Sequence, residues 1–357
     1  MADQRIVKLA QIMTEHSLTI KKGDIIKINS GIEAKPLILE CVKNILKKGA
    51  FPRVDIDLPG YSYTYYSNAS KDQLTAKPIV SLYEAQHTAG IITIGCENNT
   101  KELSNIDPQK MALRRKTTRK ISDILIKKDN WLYFEYPTES LAQDAEMSLQ
   151  EFEDFIFDSC IKDWKKEEER QDSLKKLLDK SNNVRIIGKD TDLSFSIKGR
   201  QGLKCFGKHN LPDGEVYIAP VEATVNGYIF YSFPAIHGGR EVSGIRLEFV
   251  NGKVVKATAD KNEEYLKKLI AVDKGASYIG EFGIGLNYDI KKFMRQILFD
   301  EKMGGTIHLA LGMAYPKGGG RNKSALHWDM IKDLRQGGEI WLDNKLIQKD
   351  GKFLIKL

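Results

Sequence analysis

Hydrophobic positions recur with two different periods along this chain, and the dominant period changes near its middle. In the first half, the helical period of residues 5–17 and 35–48 alternates with short runs rich in β-branched and aromatic residues, at 54–58, 90–95 and 131–136. Helices that alternate with strands are typical of a parallel sheet covered by helices. The first half is therefore predicted to be an α/β domain with a parallel sheet.

Short alternating segments separated by turn residues dominate the second half. Residues 242–250 and 253–259 are two such segments, and the Asn251-Gly252 pair between them is a signal for a two-residue hairpin. Two helices are predicted among these strands, at 263–273 and 290–299. The second half is therefore predicted to be an α+β domain with mainly antiparallel sheet.

The composition changes where the two halves meet. Residues 148–180 have the pattern of one long charged helix, and the turn formers Ser181-Asn182-Asn183 follow it. We predict a domain boundary there, which gives domains 1–182 and 183–357. The first domain contains no glycine-rich dinucleotide or P-loop motif, so it is predicted to be Rossmann-like without a nucleotide.

Composition and charge exclude several classes of protein. The chain has 357 residues, 41% of them hydrophobic and 29% charged, which is typical of soluble globular domains. The net charge is +7, but acids and bases are interleaved, as at residues 165–170, so no nucleic-acid partner is predicted. No apolar run is long enough to span a membrane, residues 1–20 do not resemble a signal peptide, and the four cysteines are scattered. We expect a cytoplasmic protein with no membrane partner.

Five side chains of metal-ligand type lie in the predicted antiparallel domain. Glu215 and Glu281 each follow a glycine, and His308 is a single imidazole within an aliphatic run. His327 and Asp329 are two residues apart, so both side chains point to one face if their segment is extended. Two histidines and three carboxylates suffice for a pair of divalent cations. A structural core histidine would also explain His308, and spacing alone leaves both interpretations open.

Longer motifs around these residues carry a family resemblance. The runs at 211–216, 279–285, 297–302, 308–312 and 324–329 are similar to those of the aminopeptidase T family of dimetallic exopeptidases, which includes aminopeptidase S-like enzymes. Residues 104–108 and 136–143 resemble the same family, so the similarity extends over essentially the whole chain.

The resemblance implies a site and an assembly. It implies that the metal ligands are Glu215, Glu281, His308, His327 and Asp329. It also implies that Tyr315, seven residues after His308, is a catalytic phenol. Finally, it implies a homodimer whose active sites face an internal cavity, which would restrict substrates to short or unfolded peptides.

The ligand count itself predicts a shared ligand. Five side chains give two cations three ligands each only if one carboxylate bridges them, and we predict Glu281 as the bridge, with the cations roughly 3.5–4 Å apart. Three carboxylates against two divalent cations leave one net positive charge, which favours bound hydroxide over water. Zinc, cobalt and manganese all suit this ligand set. Tyr315 is expected to donate a hydrogen bond to the oxyanion or a proton to the leaving amine.

The sequence thus predicts a metal-dependent aminopeptidase that hydrolyses the N-terminal peptide bond with a dimetal-activated hydroxide. Two alternatives come from other classes: another dimetallic hydrolase, such as an amidase or phosphoesterase, and a non-enzymatic α/β binding module. Glu222 could hold an imidazole, act as a general base, or lie at the surface of a turn. The general base is therefore left unassigned.

Overall fold

The computed structural model describes residues 3–357, which form two compact units. The first unit continues to Lys162 and also contains Gly207–Pro212, and the second contains Asp163–Phe206 and Asp213–Leu357. The units therefore divide before the helix Trp164–Lys180, whereas the sequence prediction placed the boundary after it. In this helix, Leu174 and Leu178 are fully buried in the core of the second unit, which explains why the helix belongs there.

The first unit is built on a parallel sheet of five strands. Their spatial order is β2-β1-β3-β4-β8, and each neighbouring pair is parallel. The strands are β1 (Ile25–Gly31), β2 (Phe51–Asp57), β3 (Gly90–Gly95), β4 (Trp131–Glu135) and β8 (Asn210–Leu211). The predicted parallel sheet is confirmed.

Helices connect these strands. They are α1 (Gln4–Gln11), which continues as a π-helix (Ile12–Ser17), α2 (Lys35–Lys47), α3 (Tyr61–Asn68), α4 (Lys71–Thr75), α5 (Ile79–His87), α6 (Pro108–Lys127), α7 (Glu139–Asp144) and α8 (Leu149–Cys160). The prediction of one helix at 148–180 is wrong, because α9 (Trp164–Lys180) begins anew. The side chain of Asp163 accepts a hydrogen bond from the Lys166 N–H and so caps a second helix start. Among the described residues, no helix is both long and apolar enough to cross a membrane.

The second unit contains a large antiparallel sheet in the order β14-β13-β10-β6-β5-β18-β19-β20. Its strands are β5 (Asn183–Gly188), β6 (Thr191–Ser196), β10 (Asn226–Phe230), β13 (Arg246–Val250), β14 (Lys253–Thr258), β18 (Glu339–Leu342), β19 (Lys345–Lys349) and β20 (Lys352–Phe353). A separate hairpin consists of β11 (Ala235–His237) and β12 (Arg240–Val242), and α10 spans Glu263–Ile270. Asn251 and Gly252 both have positive φ, 49° and 85°, as the predicted hairpin turn requires.

A second antiparallel sheet in this unit has the order β17-β16-β15-β9-β7. Its strands are β7 (Leu203–Cys205), β9 (Glu215–Ile218), β15 (Ile279–Gly285), β16 (Thr306–Gly312) and β17 (His327–Asp333). One face of this sheet shares a hydrophobic core with the large sheet, and the Phe195 and Phe282 rings meet edge to face with centroids 5.2 Å apart. The antiparallel second half is therefore confirmed.

Two local predictions in this unit are wrong. Within 290–299, only the short α11 (Ile297–Asp300) is helical. The carboxylate of its last residue accepts the N–H groups of Met294 at 2.6 Å and Gln296 at 2.8 Å, and these local bonds compete with a helix. Residues 242–250 form no single strand, because the chain turns at Gly244, where φ is +67°, between β12 and β13.

Candidate metal centre

One face of the antiparallel sheet β17-β16-β15-β9-β7 carries all the predicted ligands. They are Glu215 on β9, Glu281 on β15, His308 on β16, and His327 and Asp329 on β17. The strand register pairs Ala310 with both Asp329 and Glu281, Gly283 with His308, and Gly285 with Glu215. Directly paired residues, and residues two apart on one strand, point to the same face of a sheet. Strand pairing therefore brings together residues that are distant in sequence.

The intervening residues on the same strands point the other way. Val216, Phe282, Leu309 and Trp328 are all buried in the hydrophobic core. Each strand thus alternates between a side chain with ligand chemistry or a small residue on one face and a large apolar side chain on the other. This alternation anchors the polar face on a packed core.

Glu215, Glu281 and His308 form the first candidate cation-binding group. Each residue offers a ligand atom, and these atoms lie within 4.8 Å of one another. The His308 Nε2 atom is 3.2 Å from Glu215 Oε2 and 3.2 Å from Glu281 Oε1, and the imidazole is fully buried. Gly283 makes room for this ring, since a Cβ there would lie 1.9 Å from His308 Cε1. The group therefore requires glycine on the neighbouring strand.

A second cation-binding group consists of Glu301, His308 and Asp329, whose ligand atoms also lie within 4.8 Å of one another. His327 belongs to neither group, but its Nε2 atom is 3.3 Å from Asp329 Oδ2. Its Nδ1 atom lies 2.9 Å from the Met313 carbonyl oxygen, which orients the ring. The structure thus gathers three other predicted ligands around His308 and connects His327 to them through Asp329.

Two charged residues beside this face, the partly buried Glu301 and the fully buried Lys302, have no role predicted from the sequence. Glu301 joins the second group, and Lys302 places its ammonium 2.7 Å from Glu215 Oε1 and in an ion pair with Glu301. Both follow α11 and lie outside the strands, so strand periodicity could not reveal them. The available signal was a run of three charged residues, 300–302, between the apolar Phe299 and Met303.

The unpaired oxygens of this site fit a positively charged occupant. Glu215 Oε2, Glu281 Oε2 and Asp329 Oδ1 are buried and accept no hydrogen bond. Buried polar atoms are rarely left without a partner, because desolvation then goes uncompensated. Carboxylate oxygens together with imidazole nitrogens suit zinc, cobalt or manganese. The residues present therefore fit divalent cations.

The carboxylates also create a strongly negative environment for the imidazoles. Burial alone would lower the pKa of His308, but Glu215 and Glu281 outweigh it and raise that pKa to about 10. At His327 burial also acts to lower the pKa, but Asp329 outweighs it and raises that pKa to about 9. Metal binding requires neutral imidazole, so protons and cations compete for these nitrogens.

Tyr315 lies beside the ligands, immediately before a short 3₁₀-helix, Pro316–Gly318. Its ring contacts His327 edge to face, with centroids 5.3 Å apart, and Tyr217 at 5.8 Å. Tyr217, Glu281 and Tyr315 line one cleft. Burial, followed by the charges of Glu281 and other carboxylates, raises the pKa of Tyr315, so the phenol stays protonated and can donate a hydrogen bond.

The Glu222 carboxylate contacts neither an imidazole nor a predicted metal ligand. Its Oε2 atom accepts a hydrogen bond from Arg200 Nη2 at 2.6 Å, and its Oε1 atom accepts one from the Arg321 N–H at 3.0 Å. Arg200 is itself buried, and Gly319 packs near its guanidinium stem. These contacts hold the loop that follows Tyr315, a role that was not among the alternatives drawn from the sequence.

The buried cluster of carboxylates and imidazoles suits a metalloenzyme, and comparison with known families identifies the class. The family described as "Thermophilic metalloprotease (M29)" matches residues 2–353. The chain therefore belongs to the M29 family of metallopeptidases.

Curated relatives identify the activity within that family. Aminopeptidase 2 of Geobacillus stearothermophilus is 25% identical over 356 residues, covering 88% of this chain and 84% of that protein. Aminopeptidase T of Thermus aquaticus is 35% identical over 138 residues, 34% of this chain and 33% of that protein. The predicted metal-dependent aminopeptidase, a hydrolase, is confirmed by the family and these relatives.

Solved structures share the fold. Wild-type AmpT from Thermus thermophilus superposes with a TM-score of 0.86 at 22% identity, covering 99% of both chains. A 2,5-dihydroxypyridine dioxygenase from Pseudomonas putida KT2440 gives a TM-score of 0.62 at 12% identity, covering 98% of this chain and 96% of that chain. Because a dioxygenase has a similar fold, the fold alone does not determine the reaction.

Proposed function

We propose that this aminopeptidase removes N-terminal residues from short or unfolded peptides at a two-cation centre. The proposed ligands are Glu215, Glu281, His308, His327 and Asp329. One observation carries this proposal: three buried carboxylate oxygens without hydrogen-bond partners converge with imidazole nitrogens on one sheet face. Such a face is costly unless cations compensate its negative charge.

We assign Glu281 as the ligand shared by the two cations. An imidazole nitrogen coordinates a single cation, so His308 cannot serve both groups through Nε2, whereas a carboxylate has two oxygens. Glu281 has one oxygen 3.2 Å from His308 Nε2 and the other without a hydrogen-bond partner. Glu215 then completes the first group with His308, and Asp329 and His327 supply the other cation. Glu301 is a further candidate ligand on the side of Asp329.

When bound, divalent cations supply a Lewis acid and an acidified water for amide hydrolysis. The protein contributes orientation and proton donation. Tyr315 keeps its proton at neutral pH, so its phenol can donate a hydrogen bond to the carbonyl oxygen as negative charge develops there. The relatives that match this chain are named aminopeptidases, which favours cleavage of an N-terminal peptide bond over that of a phosphate ester.

The identity of the cations, zinc, cobalt or manganese, stays a prediction, as does their number. The homodimer with inward-facing active sites and the cytoplasmic location are likewise proposals that rest on the sequence. Size-exclusion chromatography with light scattering measures the subunit number directly, and a monomer at micromolar concentration would contradict the dimer.

The requirement for a free amine tests the proposed substrate class. Leucine p-nitroanilide is expected to be hydrolysed, and its N-acetyl derivative at least about 100-fold more slowly, because acetylation removes the free α-amino group on which an aminopeptidase acts. p-Nitrophenyl phosphate, assayed with the same protein and cations, is the matched alternative substrate. Faster release of p-nitrophenol than of p-nitroaniline would favour the phosphoesterase alternative instead.

Substitution of Tyr315 by Phe tests the proposed catalytic phenol. Loss of one hydrogen bond to a developing oxyanion typically lowers kcat by about 10²–10³. We expect kcat to fall by that factor while KM changes little, since the bond is made mainly in the transition state. Tyr217→Phe removes a hydroxyl from the same cleft and serves as the control. An unchanged kcat in the Tyr315 variant would show that the phenol only packs against His327.

A further inference from the structure

Lys302 is a buried cation at the edge of the candidate metal centre. Only 1% of its surface is exposed, and its ammonium contacts two carboxylates. Nζ lies 2.7 Å from Glu215 Oε1 and forms a short ion pair with Glu301 Oε1. Glu215 belongs to the first cation-binding group and Glu301 to the second, so one ammonium connects both groups. A buried lysine is costly unless it is paired, and this pairing compensates for its burial.

The backbone fixes Lys302 at this position. Its carbonyl oxygen accepts a hydrogen bond from the Asn287 N–H at 2.9 Å, just beyond the end of β15. Gly285, the last residue of β15, permits this approach, since a Cβ there would lie 2.1 Å from the Met303 carbonyl oxygen and 3.0 Å from the Lys302 carbonyl carbon. The ammonium is therefore held by main-chain contacts as well as by its carboxylate partners.

A third group of ligand-type side chains lies on the other side of Glu215. Cys205, Asp213 and Glu215 offer ligand atoms within 4.8 Å of one another. Cys205 is paired with Glu215 across β7 and β9, and Lys302 contacts this third group through Glu215 Oε1. The Lys302 ammonium thus places a positive charge next to this third group.

We propose that Lys302 is a positioning residue that divides the two oxygens of Glu215 between two tasks. Its ammonium holds Oε1 and leaves Oε2, which accepts no hydrogen bond, to a divalent cation shared with His308. Through Oε1 it also places a positive charge on the carboxylate that the third group shares with the first, and so confines divalent cations to the two groups around His308. This inference rests on the proposed two-cation centre.

Replacement of Lys302 by Met, with Lys332→Met as the matched control, tests this role. Lys332 is equally buried, at 1% exposure, in the same unit, but its Nζ donates to the carbonyl oxygen of Lys189 at 2.7 Å. Chelator-treated proteins are titrated with Co²⁺ and followed by the visible absorption of the bound ion. We expect Lys302→Met to bind Co²⁺ about 10–100-fold more weakly, as for other residues that orient metal ligands, and with an altered spectrum. Lys332→Met should keep the wild-type affinity and spectrum.

A second variant covers the case in which Lys302→Met does not fold. Lys302→Gln retains one hydrogen-bond donor, and we expect it to fold and to show weaker Co²⁺ binding with an altered spectrum. Wild-type affinity and spectrum in a folded Lys302 variant would overturn the proposal. So would failure of both variants to fold in the presence of Co²⁺, since Lys302 would then serve the stability of the unit. If the wild-type protein itself binds no Co²⁺, the proposed centre fails rather than the role of Lys302.

Discussion

Removal of divalent cations by a chelator is expected to abolish hydrolysis of leucine p-nitroanilide, and re-addition of zinc, cobalt or manganese to restore it. The site offers imidazole and carboxylate ligands, and the proposed role of Tyr315 is to donate a hydrogen bond or a proton, so bound cations would have to activate the attacking water. Lewis-acid polarisation and an acidified water are each worth several kcal/mol, so their joint loss should remove all measurable turnover. Elemental analysis alongside the rate assay gives the number of cations per chain, for which we expect two.

Stability gives an independent measure of the same event. Cations that bind only the folded state stabilise it in proportion to the logarithm of their concentration. The melting temperature should therefore fall on chelation and rise with each restoring metal, while the far-ultraviolet circular dichroism at 25 °C stays the same. Full peptidase activity in protein without bound metal would refute the proposed centre.

Substitution of Glu281 by Gln is expected to lower kcat/KM on the order of 10³-fold. The change removes the charge that we assign to both cations, and a loss of about 4 kcal/mol of transition-state stabilisation corresponds to that factor. The amide is nearly isosteric with the carboxylate, so the strand pairing of β15 should persist. Elemental analysis is expected to find fewer than two cations per chain in this variant.

Glu135→Gln is the matched control for this substitution. Glu135 lies at the end of β4 in the other unit, is buried at 3% exposure, and accepts a hydrogen bond from Tyr133 Oη at 2.5 Å. Both substitutions therefore replace a buried glutamate, but Glu135→Gln leaves the proposed metal ligands unchanged. Equal activity of the two variants would contradict the assignment of Glu281 as the shared ligand.

Periodicity predicted the strands that present the ligands. The aliphatic run around His308 forms β16, and His327 and Asp329 share a face of β17, as their spacing required. The signal was strong because a strand repeats every two residues, and because both strands carry ligands on one face and large apolar residues on the other. The antiparallel character of the second half followed from the same pattern.

Tertiary contacts decided what the pattern could not. Residues 290–296 have helical periodicity, yet the Asp300 carboxylate binds backbone N–H groups of that segment and keeps it irregular. Glu301 and Lys302 enter the site from a turn, where no period applies. Their proximity to Glu215 depends on β15 and its glycine at 285, that is, on contacts between segments remote in sequence. Side chains placed in this way are invisible to local patterns.

Ligand residues and core residues alternate along β16 and β17, so the same strand register is needed for catalysis and for folding. A one-residue slip of a strand exchanges its two faces. Such a slip in β16 would place Leu309 among the carboxylates and His308 in the hydrophobic core. A chain with this wrong register would lose both its metal ligands and its core packing. Single-residue insertions within these strands should therefore be eliminated as folding defects before any partly active form accumulates, whereas length changes should be confined to the connecting loops.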